Sequence, residues 1–236
     1  MAMSLFPPTR HSVLDALRGD DPGRRRAAQE TLALAYLRPV QRYLAIRWRR
    51  SPDEASELAQ EFFRAASERD LLVAYDGRRA RLRTYLRLCI DAMVRNADAA
   101  RRREKRGGGQ LPVALESVAE VLEAPGGDSP EALFEQEWRR SVLSLAVDRT
   151  RSTLLARGKE PHWAVLEGFD LDPPGGERPS YAELGQRLGL SVTEVTNRLS
   201  FARRILRQQT LEVLRDLTQD ETEFRQEARA LLGVEP

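Results

Sequence analysis

Six polar side chains are spaced along residues 193–204 so that they would share one side of a helix. The apolar residues between them recur at three- and four-residue steps, which is the spacing of a buried helical face. Short hydroxyl and amide side chains near a helix start can reach base edges in the major groove, and arginines farther along can contact phosphates. The pattern predicts recognition of duplex DNA by Thr193, Thr196, Asn197, Ser200, Arg203 and Arg204.

A second group able to bind nucleic acid is a run of basic residues upstream. The net charge of the chain is only +2, so any attraction to a polyanion must come from such local clustering. Tyr75 and Tyr85 lie among these residues, where they would either stack on unpaired bases or, as isolated tyrosines more often do, belong to the core. The basic residues are Arg78, Arg79, Arg81, Arg83, Arg87, Arg95, Arg101, Arg102, Arg103, Lys105 and Arg106.

A third pattern is an acidic, partly apolar face. Helical spacing places Glu54, Glu57, Leu58 and Glu61 on one side of a helix, with Gln60 beside them. Such a face is either simply solvated or complementary to a basic partner.

The residue types that usually carry catalysis form no recognisable set. Two histidines far apart and a single cysteine leave no metal-ligand motif and no nucleophile–base pair in the sequence. The glycines at 107–109 lack the strand–loop–helix context of a phosphate-binding loop and indicate a hinge. We therefore expect no catalytic residue, no metal, no cofactor and no enzymatic activity.

The elements that must position the DNA-binding residues are two short helices. Ser180 with Glu183 and Ser191 with Glu194 each have the spacing of a capping box, in which serine and glutamate side chains satisfy free backbone amides at a helix start. Gly189 falls where the first helix must end in a left-handed turn. Together these signals predict a helix-turn-helix between residues 180 and 207, with an ordinary helical hairpin as the alternative.

The composition predicts an all-α fold. Ala, Leu, Arg, Glu and Gln dominate, and the aromatic fraction of 6% is thin for a β-sandwich or barrel. Glycines and prolines interrupt the helical pattern between residues 107 and 128. We expect two small helical domains, 8–106 and 129–216, joined by a flexible linker at 107–128 and followed by a charged helical tail at 217–236.

These segments together resemble the sigma-70 family of bacterial RNA polymerase sigma factors, in particular the two-domain extracytoplasmic-function type. ELAQEFFRA, residues 57–65, is similar to the core-binding signature of the family, and RLRTYLRLCIDAM, residues 81–93, is similar to its promoter-melting segment. The resemblance implies that the first domain binds the β′ clamp helices of core polymerase through Glu54, Glu57, Leu58, Gln60, Glu61 and Phe63. It implies contacts with the minus-10 promoter element by Arg79, Arg81, Arg83, Tyr85, Arg87, Arg95, Arg101 and Arg102.

The closer match is SVTEVTNRLSFARRILR, residues 191–207, which is similar to the recognition helix of the family. The resemblance implies that the second domain reads the minus-35 element and meets the β flap of polymerase. It adds Arg198 to the residues of the DNA face, which are then Thr193, Thr196, Asn197, Arg198, Ser200, Arg203 and Arg204.

Some positions depart from the family pattern. Ser56 stands where an acidic residue is frequent, Ala92 where asparagine is common, and Phe201 where arginine is frequent. Residues 155–178 form an insert longer than the corresponding stretch of typical members. The resemblance leaves open whether an anti-sigma factor, another regulatory protein, the insert, the tail or a modification restrains the activity.

The function expected from the sequence is that of a sigma factor that binds core RNA polymerase and directs promoter-specific initiation. The alternative is a helix-turn-helix regulator that binds DNA without recruiting polymerase. The sequence contains no apolar stretch near the ~20 residues that a membrane-spanning helix requires, so we expect a cytoplasmic protein with no membrane partner.

Overall fold

The computed structural model describes residues 13–68, 71–72, 74–76, 79–104, 129–173 and 176–233. These residues form helices and no strand, which confirms the all-α prediction. The helices are α1 (Val13–Arg18), α2 (Pro22–Arg47), α3 (Pro52–Glu68), α4 (Leu82–Glu104), α5 (Pro130–Ala156), α6 (Glu160–Leu166), α7 (Tyr181–Leu188), α8 (Val192–Leu217) and α9 (Glu221–Leu232), with a π-helical turn at Glu167–Leu171.

Local capping explains where several helices begin. The Asp21 carboxylate accepts hydrogen bonds from the backbone amides of Gly23 and Arg24 at the start of α2. At α3, the Ser51 backbone amide donates to the Glu54 carboxylate at 3.0 Å, and the Glu54 amide donates to the Ser51 hydroxyl at 3.3 Å. These side chains satisfy backbone donors that have no partner within the helix.

The described residues fall into two compact units, one of residues 13–141 with 215–233 and the other of residues 142–214. In the first unit, the ring of Phe134 on α5 meets Tyr36 and Tyr43 of α2, at centroid distances of 6.5 and 5.7 Å. On α9 of the same unit, Phe224 and Ala228 are buried.

These units differ from the domains expected from the sequence. The beginning of α5 and the described part of the predicted tail, up to Gly233, both belong to the first unit, because each buries an apolar stripe there. The predicted linker at 107–128 lies outside the described residues. Within the described part of the chain, no helix is long and apolar enough to cross a membrane.

Candidate nucleic-acid interface

Two capping boxes fix the starts of α7 and α8 in the second unit. The Ser180 backbone amide donates to Glu183 at 2.7 Å, and the Glu183 amide donates to the Ser180 hydroxyl at 3.2 Å. The same exchange joins Ser191 and Glu194, at 2.9 and 3.3 Å. In both pairs, the hydrogen bonds that the glutamate carboxylate accepts from the serine lower the pKa of the glutamate below its ordinary value. Both predicted capping boxes are therefore confirmed.

The turn between these helices depends on two glycines. Gly189 ends α7 with φ +67°, the left-handed conformation that the sequence predicted. Gly185 lies one turn earlier, and a β-carbon there would stand 2.5 Å from the carbonyl oxygen of Leu190. That oxygen belongs to the chain entering α8, so the angle between the helices depends on the missing side chain of Gly185.

A shared apolar core holds the two helices. Leu184, Val195 and Leu199 are buried together. Trp163 and Leu166, from the segment expected to be an insert, belong to the same core. The insert is thus part of the body of this unit, and it positions the helix-turn-helix.

The outer side of α8 carries most of the predicted DNA-binding residues. Thr193, Asn197, Ser200 and Arg204 are exposed and follow one another at intervals of four, three and four residues, which makes one straight stripe along a helix. Arg207 is exposed and extends the stripe by one more step. Arg207 was absent from the sequence prediction, although the same three- and four-residue spacing points to it.

Thr196 and Arg198 differ from this stripe in their local contacts. Thr196 is exposed, but its hydroxyl donates to the Val192 carbonyl oxygen at 2.9 Å. The hydroxyl proton is therefore engaged, and the hydroxyl oxygen offers a ligand an acceptor more readily than a donor. Arg198 is half-buried and pairs with Glu194 at 3.0 Å. It lies five residues after Thr193, about 140° around the helix, so its side chain starts from a different face.

Arg203 lies at the edge of the stripe and is held by the π-helical turn. Its Nε and Nη2 atoms donate to the two carboxylate oxygens of Asp170 at 2.7 and 2.9 Å. The guanidinium carbon lies 5.5 Å from the ring centroid of Phe169. The hydrogen bonds that Arg203 donates to Asp170 raise the pKa of Arg203 above its ordinary value, so the side chain stays charged.

The first unit contains the arginines predicted to contact the minus-10 element, and Arg83 is buried among them. Its Nη1 donates to Glu227 of α9 at 2.8 Å, its Nε donates to Glu135 of α5, and its guanidinium lies over the Trp138 ring. Only 8% of Arg83 is exposed. A side chain held in this way supports the packing of the unit and offers no donor to DNA.

Arg87 and Arg81 also pair inside this unit. Arg87 Nη1 donates to Glu131 at 2.8 Å and lies 3.7 Å from Asp91. Arg81 Nη1 lies 2.9 Å from Glu227, although 44% of the Arg81 side chain remains exposed. Acidic residues of α5 and α9 therefore neutralise much of the positive charge at the start of α4.

The other predicted minus-10 residues are divided between surface and core. Arg79 is exposed with Asp76 at 3.8 Å, Arg95 is exposed with Asp91 at 3.8 Å, and Arg102 is exposed. The Tyr85 hydroxyl donates to the Leu71 carbonyl oxygen at 2.8 Å, and its ring lies 5.4 Å from that of Tyr75. These contacts favour the core alternative for Tyr85. Of the remaining residues of the basic run, the side chains of Arg101 and Arg103 and the whole of Arg78, Lys105 and Arg106 lie outside the described residues.

The predicted polymerase-binding residues lie on α3 but do not share one face. Glu57, Gln60 and Glu61 are exposed on the side opposite the buried residues Ala55, Ala59, Phe62 and Ala66. Leu58 and Phe63 are half-buried on the two flanks. Phe63 follows the exposed, capping Glu54 by about two and a half turns, so these two residues point to opposite sides of the helix.

No group of three or more potential metal ligands occurs in the described part of the chain. No family model, curated protein or solved structure matches the chain.

Proposed function

We propose that this chain is a sigma subunit of bacterial RNA polymerase. It would bind core polymerase through its first unit and read a promoter element through its second, in the cytoplasm and without a cofactor. The observation that supports this function best is the helix-turn-helix, whose outer stripe of Thr193, Asn197, Ser200 and Arg204 is open to solvent. Polar side chains near the start of such a helix and arginines farther along suit base edges and phosphates.

The polymerase-binding part of the proposal depends on the resemblance of the α3 segment to the sigma-70 core-binding signature. The exposed carboxylates of Glu57 and Glu61 supply the negative charge that a basic clamp surface would require. Arg64 is the only basic residue of α3, and its Nη1 lies 3.7 Å from Glu68.

The test is binding of the full chain to purified bacterial core RNA polymerase, followed by transcription from a promoter library. Reversing both charges in Glu57→Lys with Glu61→Lys should weaken polymerase binding at least about tenfold, because like charges would then face each other. Glu30→Lys is the matched control, since Glu30 is an exposed carboxylate on another helix of the same unit. Undiminished polymerase binding by the double variant would refute this role of α3, and a wild-type chain that does not bind core polymerase would refute the sigma-factor proposal.

One observation favours the alternative of a DNA-binding regulator that does not recruit polymerase. Arg83 and Arg87 are engaged by Glu135, Glu227 and Glu131, so two of the arginines expected to contact the minus-10 element are largely buried in ion pairs. The alternative predicts sequence-specific duplex binding by the whole chain together with no binding to core polymerase. Binding to core polymerase, measured beside binding of the whole chain to duplex DNA, therefore separates the two functions.

A further inference from the structure

Asp170 lies between two arginines beside the recognition helix, inside the second unit. Its carboxylate accepts both hydrogen bonds from Arg203 and lies 3.3 Å from Nη2 of Arg178. Only 16% of the Asp170 side chain is exposed, against 45% of the Arg203 side chain. The Phe169 ring lies beneath both guanidinium groups, at 5.5 Å from Arg203 and 5.9 Å from Arg178.

This arrangement decides which part of the Arg203 guanidinium can meet a ligand. Asp170 occupies the edge formed by Nε and Nη2, so a second acceptor must approach the edge formed by Nη1 and the remaining proton of Nη2. The carboxylate also offsets the positive charge and so weakens attraction to phosphates that do not meet that edge directly. A held arginine loses less side-chain entropy when it binds than a mobile one.

We propose that Asp170 is a positioning residue for DNA recognition, which directs Arg203 to a single backbone phosphate and suppresses its attraction to others. The inference rests on the proposed binding of duplex DNA by α8. A phosphate oxygen is the acceptor because Arg203 lies on the flank of α8, about three turns from its start, beyond the residues placed to reach base edges. Asp170 thereby increases discrimination between the correct register on DNA and all others.

The test compares the wild-type chain with Asp170→Asn, which keeps the shape of the side chain and removes its charge. Binding is measured from 50 to 200 mM salt, on a duplex selected by the wild-type chain and on a random duplex. The variant should bind the random duplex more tightly, with up to one additional phosphate contact. The ratio of the variant's affinity for the random duplex to that of the wild-type chain should then be up to about 3.5-fold larger at 50 mM than at 200 mM salt. The preference of the variant for the selected duplex over the random one should fall.

Three controls test whether the effect of Asp170→Asn comes from the pairing of Asp170 with Arg203. Glu167→Gln removes an exposed carboxylate from the same π-helical turn without touching Arg203, and it should leave the salt dependence unchanged. The effect of Asp170→Asn should disappear in an Arg203→Ala background and persist in an Arg178→Ala background. Circular dichroism of each variant verifies that the helices are retained.

The possible results are distinct. An unchanged salt dependence in Asp170→Asn, or an equal change in Glu167→Gln, refutes the role of Asp170 while DNA binding by the wild-type chain stands. An effect that survives in the Arg203→Ala background also refutes it. A wild-type chain that fails to bind any duplex at 50 mM salt refutes both this inference and the proposed function.

Discussion

Replacing Glu227 by alanine should destabilise the first unit more than the loss of any exposed carboxylate on the same helix. The side chain of Glu227 is only 2% exposed, and its Oε1 atom lies 2.8 Å from Arg83 Nη1 and 2.9 Å from Arg81 Nη1. Removing one member of a buried ion pair costs about 3–5 kcal/mol when the other charge is left without a partner.

The expected loss is somewhat smaller, because the other edge of Arg83 keeps its carboxylate. Glu135 still accepts from Nε and Nη2 of Arg83 in the variant. Arg81, with 44% of its side chain exposed, can turn to water at little cost. We therefore expect Glu227→Ala to lower the free energy of unfolding by about 2–4 kcal/mol.

Urea unfolding followed by tryptophan fluorescence measures this loss. The chain has three tryptophans, and in a Trp163→Phe background the remaining two, Trp48 and Trp138, both report on the first unit. Glu221→Ala is the control on the same helix. Glu221 is 56% exposed and pairs with Arg225 at 3.2 Å, so its loss should cost less than about 1 kcal/mol.

The pairing explanation fails if Glu227→Ala and Glu221→Ala destabilise the unit equally. It also fails if Glu227→Ala costs as much in an Arg83→Met background as in the wild-type chain. In that case the loss would come from the space left by the side chain rather than from the charge of Arg83.

Two further predictions concern the second unit. Gly185→Ala should lower the stability of this unit by about 1–3 kcal/mol, because the new β-carbon meets the Leu190 carbonyl oxygen. Helix propensity alone predicts the opposite, a gain of about 1 kcal/mol. Thermal unfolding, with Gln186→Ala as reference, separates the two, since a rise in the unfolding temperature would contradict the steric explanation. Burial and the nearby positive charge of Lys159 lower the pKa of His162 below its ordinary 6.5. As the pH drops, the unfolded chain therefore binds a proton at a higher pH than the folded chain does. The free energy of unfolding should fall as the pH drops below about 6.5. Urea midpoints between pH 5.5 and 7.5 should show a weaker pH dependence in His162→Gln, and identical profiles would contradict the assignment.

Features set by neighbouring residues could be predicted from the sequence. Both capping boxes, the left-handed Gly189 and the buried and exposed sides of α8 depend on spacings of three or four residues. The beginnings of α2 and α3 follow from equally local contacts. Local spacing is visible in a sequence because helical geometry is fixed.

Features set by distant residues could not be predicted in the same way. Arg83 meets partners 52 and 144 positions away, and Arg203 meets Asp170 across 33 positions. A cluster of arginines has the same sequence pattern whether its charges face DNA or a neighbouring helix. Gly185 was missed for a related reason, since the close approach of Leu190 exists only once the two helices have packed.

Because of the π-helical turn, the contact between Arg203 and Asp170 depends on the number of residues in that turn as well as on their types. The Asp172 amide donates to the Glu167 carbonyl oxygen at 2.8 Å, five residues back, where an α-helix would reach back four. Deleting one residue ahead of Asp170 would restore ordinary helical winding and turn each residue beyond the deletion by about 100°. The carboxylate would then leave Arg203, so relatives of this protein could gain or lose this constraint by a single codon insertion or deletion, with the recognition helix itself unchanged.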